Sequence, residues 1–369
     1  MFFCLNLLLF LGLLQYIYLF MNYKLIFRFF RSALFPFSIL YGFVMSIRNL
    51  FFDWGFFSSR SFSVPVIAVG NLSVGGTGKT PQIAYLIHLL QKDFKVAVLS
   101  RGYKRKSKGF VLASSEVSVD EFGDEPYCFY KKFPNIIVAV DENRSHGIQK
   151  LLDCHAEIDV VLLDDAFQHR KVHASFYTLL TSYDALYTKD FVLPAGNLRE
   201  PRRGAKRANA ILVTKCPLEI STEERQRILQ KIAPTALQQV FFTKISYAPF
   251  VVSESDQLPV ASLRNYAVVL LTGIANPKPL LAYLTEQQVA FTHLSYPDHH
   301  SFGAADIQTI QKTFAALEGE NKLLLTTEKD AVRLQGKIER LYTLGIQTDF
   351  IEGGKDFDTA IRNNIDSFY

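Results

Sequence analysis

An α/β fold, with a parallel sheet flanked by helices and a second, smaller α/β lobe, is the architecture this 369-residue sequence predicts. Three observations carry that prediction. From residue 66 onward short apolar runs alternate with helical periodicity, the pattern of strand–helix–strand units. The first run, Val66-Ile67-Ala68-Val69, enters a glycine-rich turn, and Gly78-Lys79-Thr80 then opens a helix with apolar positions at Ile83, Leu86, Ile87 and Leu90. That is the layout of a phosphate-binding P-loop. A later run, Val160-Val161-Leu162-Leu163, ends in Asp164-Asp165, the usual place for a magnesium partner in a P-loop NTPase sheet.

The turn itself is the predicted nucleotide cradle: Ser73, Val74, Gly75, Gly76, Thr77, Gly78, Lys79 and Thr80. Its glycines let backbone N–H groups turn toward one anion, and the helix N-terminus adds partial positive charge. Lys79 suits the terminal phosphates of ATP, and the Thr80 hydroxyl suits Mg2+. Ser73 stands where the common motif has its first glycine.

Before the cradle lie two unlike segments. Residues 1–23 carry no charge and are long enough to span a bilayer. A signal peptide fits poorly, because no basic region precedes the apolar run and no small-residue cleavage site follows it. A membrane span, held with the rest of the chain in the cytoplasm by the basic residues that follow, and an upstream extension of the true start at Met21 both stay open. In residues 24–60, Lys24, Arg28 and Arg31 recur on one helical face among phenylalanines and leucines, as in a helix docked on an anionic membrane surface. A helix packed on the protein's own core is the plainer alternative.

Strands are expected at 66–70, 95–99, 136–140, 159–164, 176–181 and 210–214, with crossover helices at 79–92 and 142–153. Residues 61–235 then form a P-loop nucleotide-binding and catalytic domain, and 236–369 the second lobe, with strands near 239–246, 267–271, 289–295 and 322–326. Ser221-Thr222-Glu223-Glu224 reads as a capping box.

Several polar clusters fall at expected strand ends or loops. Gly123-Asp124-Glu125-Pro126 follows a basic stretch at 101–108 and reads as a loop; a carboxylate there suits a general base, although spacing alone favours a solvated turn. Ala166-Phe167-Gln168-His169-Arg170 continues from the paired aspartates. The stretch 193–203 mixes turn residues with Arg199, Arg202 and Arg203, which suit phosphate. Asp298-His299-His300 places a carboxylate beside imidazoles, fit to tune a base rather than to chelate a metal through both rings. Thr326-Thr327-Glu328-Lys329-Asp330 ends a strand at the edge where α/β sheets bind ligands.

Taken in this order, the segments Pro65 to Pro81, Ser100-Arg101-Gly102-Tyr103, Gly123 to Pro126, Leu163-Asp164-Asp165 with Gln168-His169, Leu193 to Gly196, Leu198 to Pro201, Thr272 to Pro277, Asp298 to His300 and Thr326 to Asp330 resemble one family, the tetraacyldisaccharide 4′-kinases (lipid A 4′-kinases) of Gram-negative bacteria. The likeness runs from about residue 34 to the end and includes a membrane-docking helix near 34–49. It implies transfer of the ATP γ-phosphate to the 4′-hydroxyl of tetraacyldisaccharide 1-phosphate, a glycolipid, at the cytoplasmic face of the inner membrane. It further implies Asp124 as general base tuned by His299, Lys79 and Thr80 on phosphate and metal, Asp164 and Asp165 on Mg2+, Arg199 and Glu200 lining the site, and Gln168 and Arg144 as polar contributors. Residues 1–20 have no counterpart in the family pattern.

Other classes fit less well. Partitioning ATPases share a Gly-Gly-x-Gly-Lys-Thr loop but carry a lysine where this chain has Val74. A GTPase would place aspartate where Thr214-Lys215-Cys216-Pro217 has proline. The net charge of +5 makes no demand for nucleic acid, and no obligate protein partner is evident. The four cysteines show no metal or redox spacing, as expected of unpaired thiols in a reducing compartment.

Overall fold

The computed structural model describes Arg31 and residues 33–369. The apolar segment 1–23 and the basic positions Lys24 and Arg28 lie outside the described residues. A helix, α1 (Phe35–Asp53), opens the described chain.

Thirteen strands form one sheet. Its first half is built from β1 (Val66–Asn71), β2 (Val96–Ser100), β3 (Val111–Leu112), β4 (Ile137–Val140), β5 (Val160–Leu163), β6 (Phe176–Ser182) and β7 (Ala210–Thr214). The spatial order β3-β4-β2-β5-β1-β6-β7 puts β1 at the centre, parallel to β5 on one side and β6 on the other. All six residues of β1 and all four of β5 are buried, which is why these strands read as unbroken apolar runs rather than alternations. Helix α2 (Lys79–Leu90) leaves the end of β1 and buries Ile83, Leu86, Ile87 and Leu90 against the sheet.

Strand β8 (Gln239–Val252) continues the sheet into the second half. Its start pairs in parallel with β7, and its later residues pair antiparallel with β13 (Leu341–Phe350). Beyond it, β12 (Lys322–Thr327), β10 (Ala267–Thr272) and β11 (Phe291–Ser295) run parallel to one another, with β9 (Gln257–Pro259) paired to β8. Helices Lys278–Glu286 and Ala304–Ala315 bury Leu280, Leu284 and Ile310 on this smaller unit. The chain then returns. The last helix, Gly354–Asp366, buries Phe357, Ile361 and Ile365 in the same core as Ile67 and Ile83 of the first half.

One loop differs from the reading of the sequence. Gly123-Asp124-Glu125-Pro126 is not a loop but the start of a helix, Asp124–Lys132. Pro126 sits in its first turn, where a missing N–H costs nothing because that group has no intrahelical partner anyway.

Candidate active site

The carboxyl ends of β1 and β5 lie side by side, and the loops that leave them set the site. Gly70 permits the approach: a Cβ there would come within 2.7 Å of Phe167 Cβ and 2.8 Å of its backbone nitrogen. The Ala166 N–H donates to Val69 O at 3.1 Å, locking the post-β5 turn onto β1. After β1 the P-loop is braced on both flanks. Asn71 donates to the Thr77 hydroxyl at 2.8 Å, and Val74 N donates to Asn197 O at 2.7 Å. Ser73 forms a bridge with Leu198. Val74, Gly75 and Gly76 are exposed, and Lys79 and Thr80 open α2 behind them.

Asp164 and Asp165 face this loop in different states. Asp165 turns the chain with φ +48°, a conformation aspartate tolerates better than most residues. Its carboxylate lies 3.7 Å from the Lys79 ammonium and accepts from Arg199 Nη1 at 2.9 Å on both oxygens. Burial raises its pKa, but the Lys79 and Arg199 charges outweigh that and leave it below the ordinary value. Asp164 is buried, accepts from the Ser100 hydroxyl at 3.1 Å, and keeps Oδ1 without a hydrogen-bond partner. Burial, then the Asp165 charge, pushes its carboxyl upward. An orphaned, desolvated carboxylate oxygen beside a P-loop is what a divalent cation satisfies. Among the described residues no group of three His, Cys, Asp or Glu forms a metal cage.

Asp124 comes from the other side. Gly123, at φ +95°, has its Cα so close to the Ser100–Tyr103 loop that a Cβ would sit 3.2 Å from Gly102 Cα. Asp124 follows, 4% exposed. His299, from the second half, places Nδ1 at 2.7 Å from Asp124 Oδ2, and Arg333 places Nη2 at 2.7 Å from Oδ1. On the far side of the ring, Lys329 Nζ lies 3.4 Å from His299 Nε2 and 2.5 Å from Asp298 Oδ1. Nε2 thus faces both the Lys329 ammonium and, at 3.8 Å, Asp298 Oδ2, while on the other side of the ring Nδ1–H donates to the Asp124 carboxylate. Asp330 supports this corner: buried, it accepts from Gly273 N at 2.9 Å, and Gly273 O accepts from His299 N at 3.3 Å. His300 turns away, to Asp306 at 2.9 Å.

The remaining sequence-predicted residues hold the frame. Glu200 is wholly buried and does not line the site directly. Its oxygens accept from Arg207 at 2.8 and 2.9 Å, Gln168 at 3.0 Å and Asn49 at 2.9 Å. Gln168 also donates to Asn71 O at 2.9 Å, so it links β1 to Glu200. Arg144 is buried under the site, donating to the carbonyls of Asp141 at 2.6 Å and Asp164 at 3.1 Å; desolvation lowers its pKa to about 10. Helix α1 joins this frame. Tyr41 donates to Arg199 O at 2.7 Å, Arg48 to Gln168 O at 3.0 Å, and Ser38 accepts from Ala195 N at 2.8 Å. Arg31 points to the same loop, donating to Ala195 O at 2.5 Å.

Sequence reasoning passed over Glu125 and Arg333. Glu125 sits in the first turn with Asp124, and desolvation, then the Asp164 charge, raises its carboxyl to about 7. Its place next to Asp124 was the only available signal. Arg333 had none, since it lies outside every motif.

Residues 30–366 match the family model described as Tetraacyldisaccharide-1-P 4'-kinase. A Tetraacyldisaccharide 4'-kinase of Flavobacterium johnsoniae is 50% identical over 337 residues, covering 91% of this chain and 97% of that one. One of Bacteroides thetaiotaomicron is 49% identical over 312 residues, 82% of each. Among solved structures, that of LpxK from Aquifex aeolicus in complex with ATP superposes with a TM-score of 0.74 at 33% identity, covering 92% of this chain and all of that one. The chain belongs to the tetraacyldisaccharide-1-phosphate 4′-kinase family.

Proposed function

We propose that this protein transfers the γ-phosphate of ATP to the 4′-hydroxyl of tetraacyldisaccharide 1-phosphate, with the P-loop, the paired aspartates and Asp124 as its working parts. The observation that carries the reading is the meeting of Lys79, Asp165 and Arg199 on one edge of the sheet, with Asp124 of the first half held by His299 of the second.

In this reading the P-loop N–H groups and Lys79 bind the triphosphate, and Lys79 exchanges its contact with Asp165 for phosphate oxygens. Thr80 and Asp164, with Asp165 beside them, would hold Mg2+, which when bound neutralises charge on the β- and γ-phosphates. Arg199 lies beside Asp165 and stabilises charge on the transferred group. Asp124 accepts the proton of the attacking 4′-hydroxyl as the new P–O bond forms and the bond to the β,γ-bridging oxygen breaks. His299 holds the Asp124 carboxylate in place through Nδ1–H. Gln168 and Glu200 act as positioning residues that tie the site to α1.

Helix α1 is long and apolar enough to cross a bilayer, yet its inner face is hydrogen-bonded to catalytic loops. Ile39, Leu40 and Phe43 are each more than 60% exposed on the other face. We read it as lying along the membrane surface, which brings the site to a substrate whose acyl chains stay in the bilayer at about 0.8 kcal/mol per CH2. An ATP donor places that surface on the cytoplasmic side, and nothing in the site requires an obligate protein partner.

The deciding experiment is transfer of labelled phosphate from ATP to purified tetraacyldisaccharide 1-phosphate in detergent, for wild type and Lys79→Ala. A 4′-phosphorylated product made by wild type and lost in the variant supports the reading. ATP hydrolysis without lipid product sinks it.

A further inference from the structure

The Thr214-Lys215-Cys216-Pro217 stretch, which has no part in phosphoryl transfer as described above, grips the P-loop. Thr214 ends β7, and its buried hydroxyl donates to Thr77 O at 2.7 Å. Lys215 follows at φ +57°, a backbone region that lysine seldom adopts, and its ammonium donates to Gly76 O at 2.5 Å. Two successive carbonyls of the cradle are thus held by two successive residues of one strand end.

The consequence follows from the planar trans peptide. In each peptide unit the C=O and the next N–H point in opposite directions. Drawing the Gly76 and Thr77 carbonyls toward β7 therefore turns the Thr77 and Gly78 N–H groups the other way, away from the strand end that holds them. Desolvation, then the charge of Lys79, lowers the Lys215 pKa. Two cations converge on one short loop, an arrangement a polyanion relieves.

We propose that Lys215 is a positioning residue for the nucleotide: by holding the Gly76 carbonyl it keeps the cradle's N–H groups turned toward the phosphates. This rests on the reading of residues 73–80 as a nucleotide cradle.

The test is steady-state transfer by the full-length enzyme to glycolipid in detergent, with ATP and glycolipid varied in turn. If Lys215 positions the nucleotide, Lys215→Ala raises KM for ATP about tenfold or more, with kcat and KM for glycolipid within about threefold of wild type. Lys215→Arg, which keeps a donor for Gly76 O, brings KM for ATP back to within about threefold. An unchanged KM for ATP in Lys215→Ala, or an equal rise for both substrates, overturns the positioning role. Transfer that survives Lys79→Ala would instead sink the underlying reading of the cradle.

Discussion

Asp124 and His299, 175 positions apart in the chain, meet at 2.7 Å between Oδ2 and Nδ1 and so join the two halves of the molecule at one carboxylate. The contact is directional: a carboxylate only accepts, so Nδ1–H is the donor to Asp124. Asp124→Asn keeps the shape and can no longer take a proton, so turnover falls about 100-fold or more while KM for ATP changes little. His299→Ala removes only the orienting hydrogen bond and costs less in kcat. Steady-state kinetics with ATP and glycolipid varied in turn checks both, and an Asp124→Asn enzyme with normal turnover removes Asp124 from the mechanism.

Arg333 supplies the other half of that carboxylate's environment. With Asp124 side chain 3% exposed and Arg333 16% exposed, the pair at 2.7 Å is mostly desolvated. Removing the arginine alone leaves a buried charge with only a histidine beside it, a loss of about 3–5 kcal/mol for breaking such a pair from one side. Arg333→Ala therefore lowers the urea midpoint of unfolding well beyond Asp124→Asn. The double variant is less destabilised than the sum of the two, because the charge left unpaired is gone. Additive losses in that cycle would mean that the two side chains do not stabilise each other.

How legible the site was depends on how its residues are spread along the chain. The P-loop and Asp164-Asp165 could be read directly, because consecutive residues carry the chemistry and each follows a wholly buried strand. Asp124 and His299 could not be paired from spacing; only the family resemblance joined them, since the contact depends on how the second half folds over the first. The helix at Asp124–Lys132 was hidden by Gly123 and Pro126, which look like turn residues yet suit a helix start. Strand β13 and the last helix were passed over. Gly345 interrupts the strand's apolar pattern, and Phe357, Ile361 and Ile365 join a core built mostly from the first half, where Phe357 meets Tyr85 with ring centroids 6.2 Å apart. Glu200 shows the opposite failure: its sequence neighbours suggest a site residue, while its burial against Arg207, Gln168 and Asn49 appears only once α1 is in place.

Glu125 gives a pH prediction. Desolvation, then the Asp164 charge, lifts its carboxyl from the ordinary 4.5 to about 7. Between those values the folded protein holds a proton that the unfolded chain has released, so stability falls as pH rises through this window and levels off above about 7. Glu125→Gln removes this one contribution. Thermal melts at about pH 5 and 8 should show wild type losing Tm relative to Glu125→Gln as pH rises. A constant difference between the two proteins would mean that Glu125 does not titrate in that range.

Helix α1 has two faces with separable tasks. Ile39, Leu40 and Phe43 are 62%, 61% and 61% exposed, whereas Tyr41, turned toward the loops, donates to Arg199 O at 2.7 Å. Fully burying one such apolar side chain is worth about 1.5–3 kcal/mol, so replacing all three by serine weakens binding to anionic vesicles about 100-fold or more, even if each enters the interface only in part. KM for ATP stays at the wild-type value, because no outward residue touches the loops. Tyr41→Phe reverses the pattern: vesicle binding is retained, and kcat falls several-fold as the Arg199 backbone loses its tether. Vesicle co-sedimentation and kinetics on the same preparations decide between them. If the triple variant sediments like wild type, the outward face is not what holds this enzyme at its substrate, and the apolar segment before residue 24 becomes the part of the chain to test next.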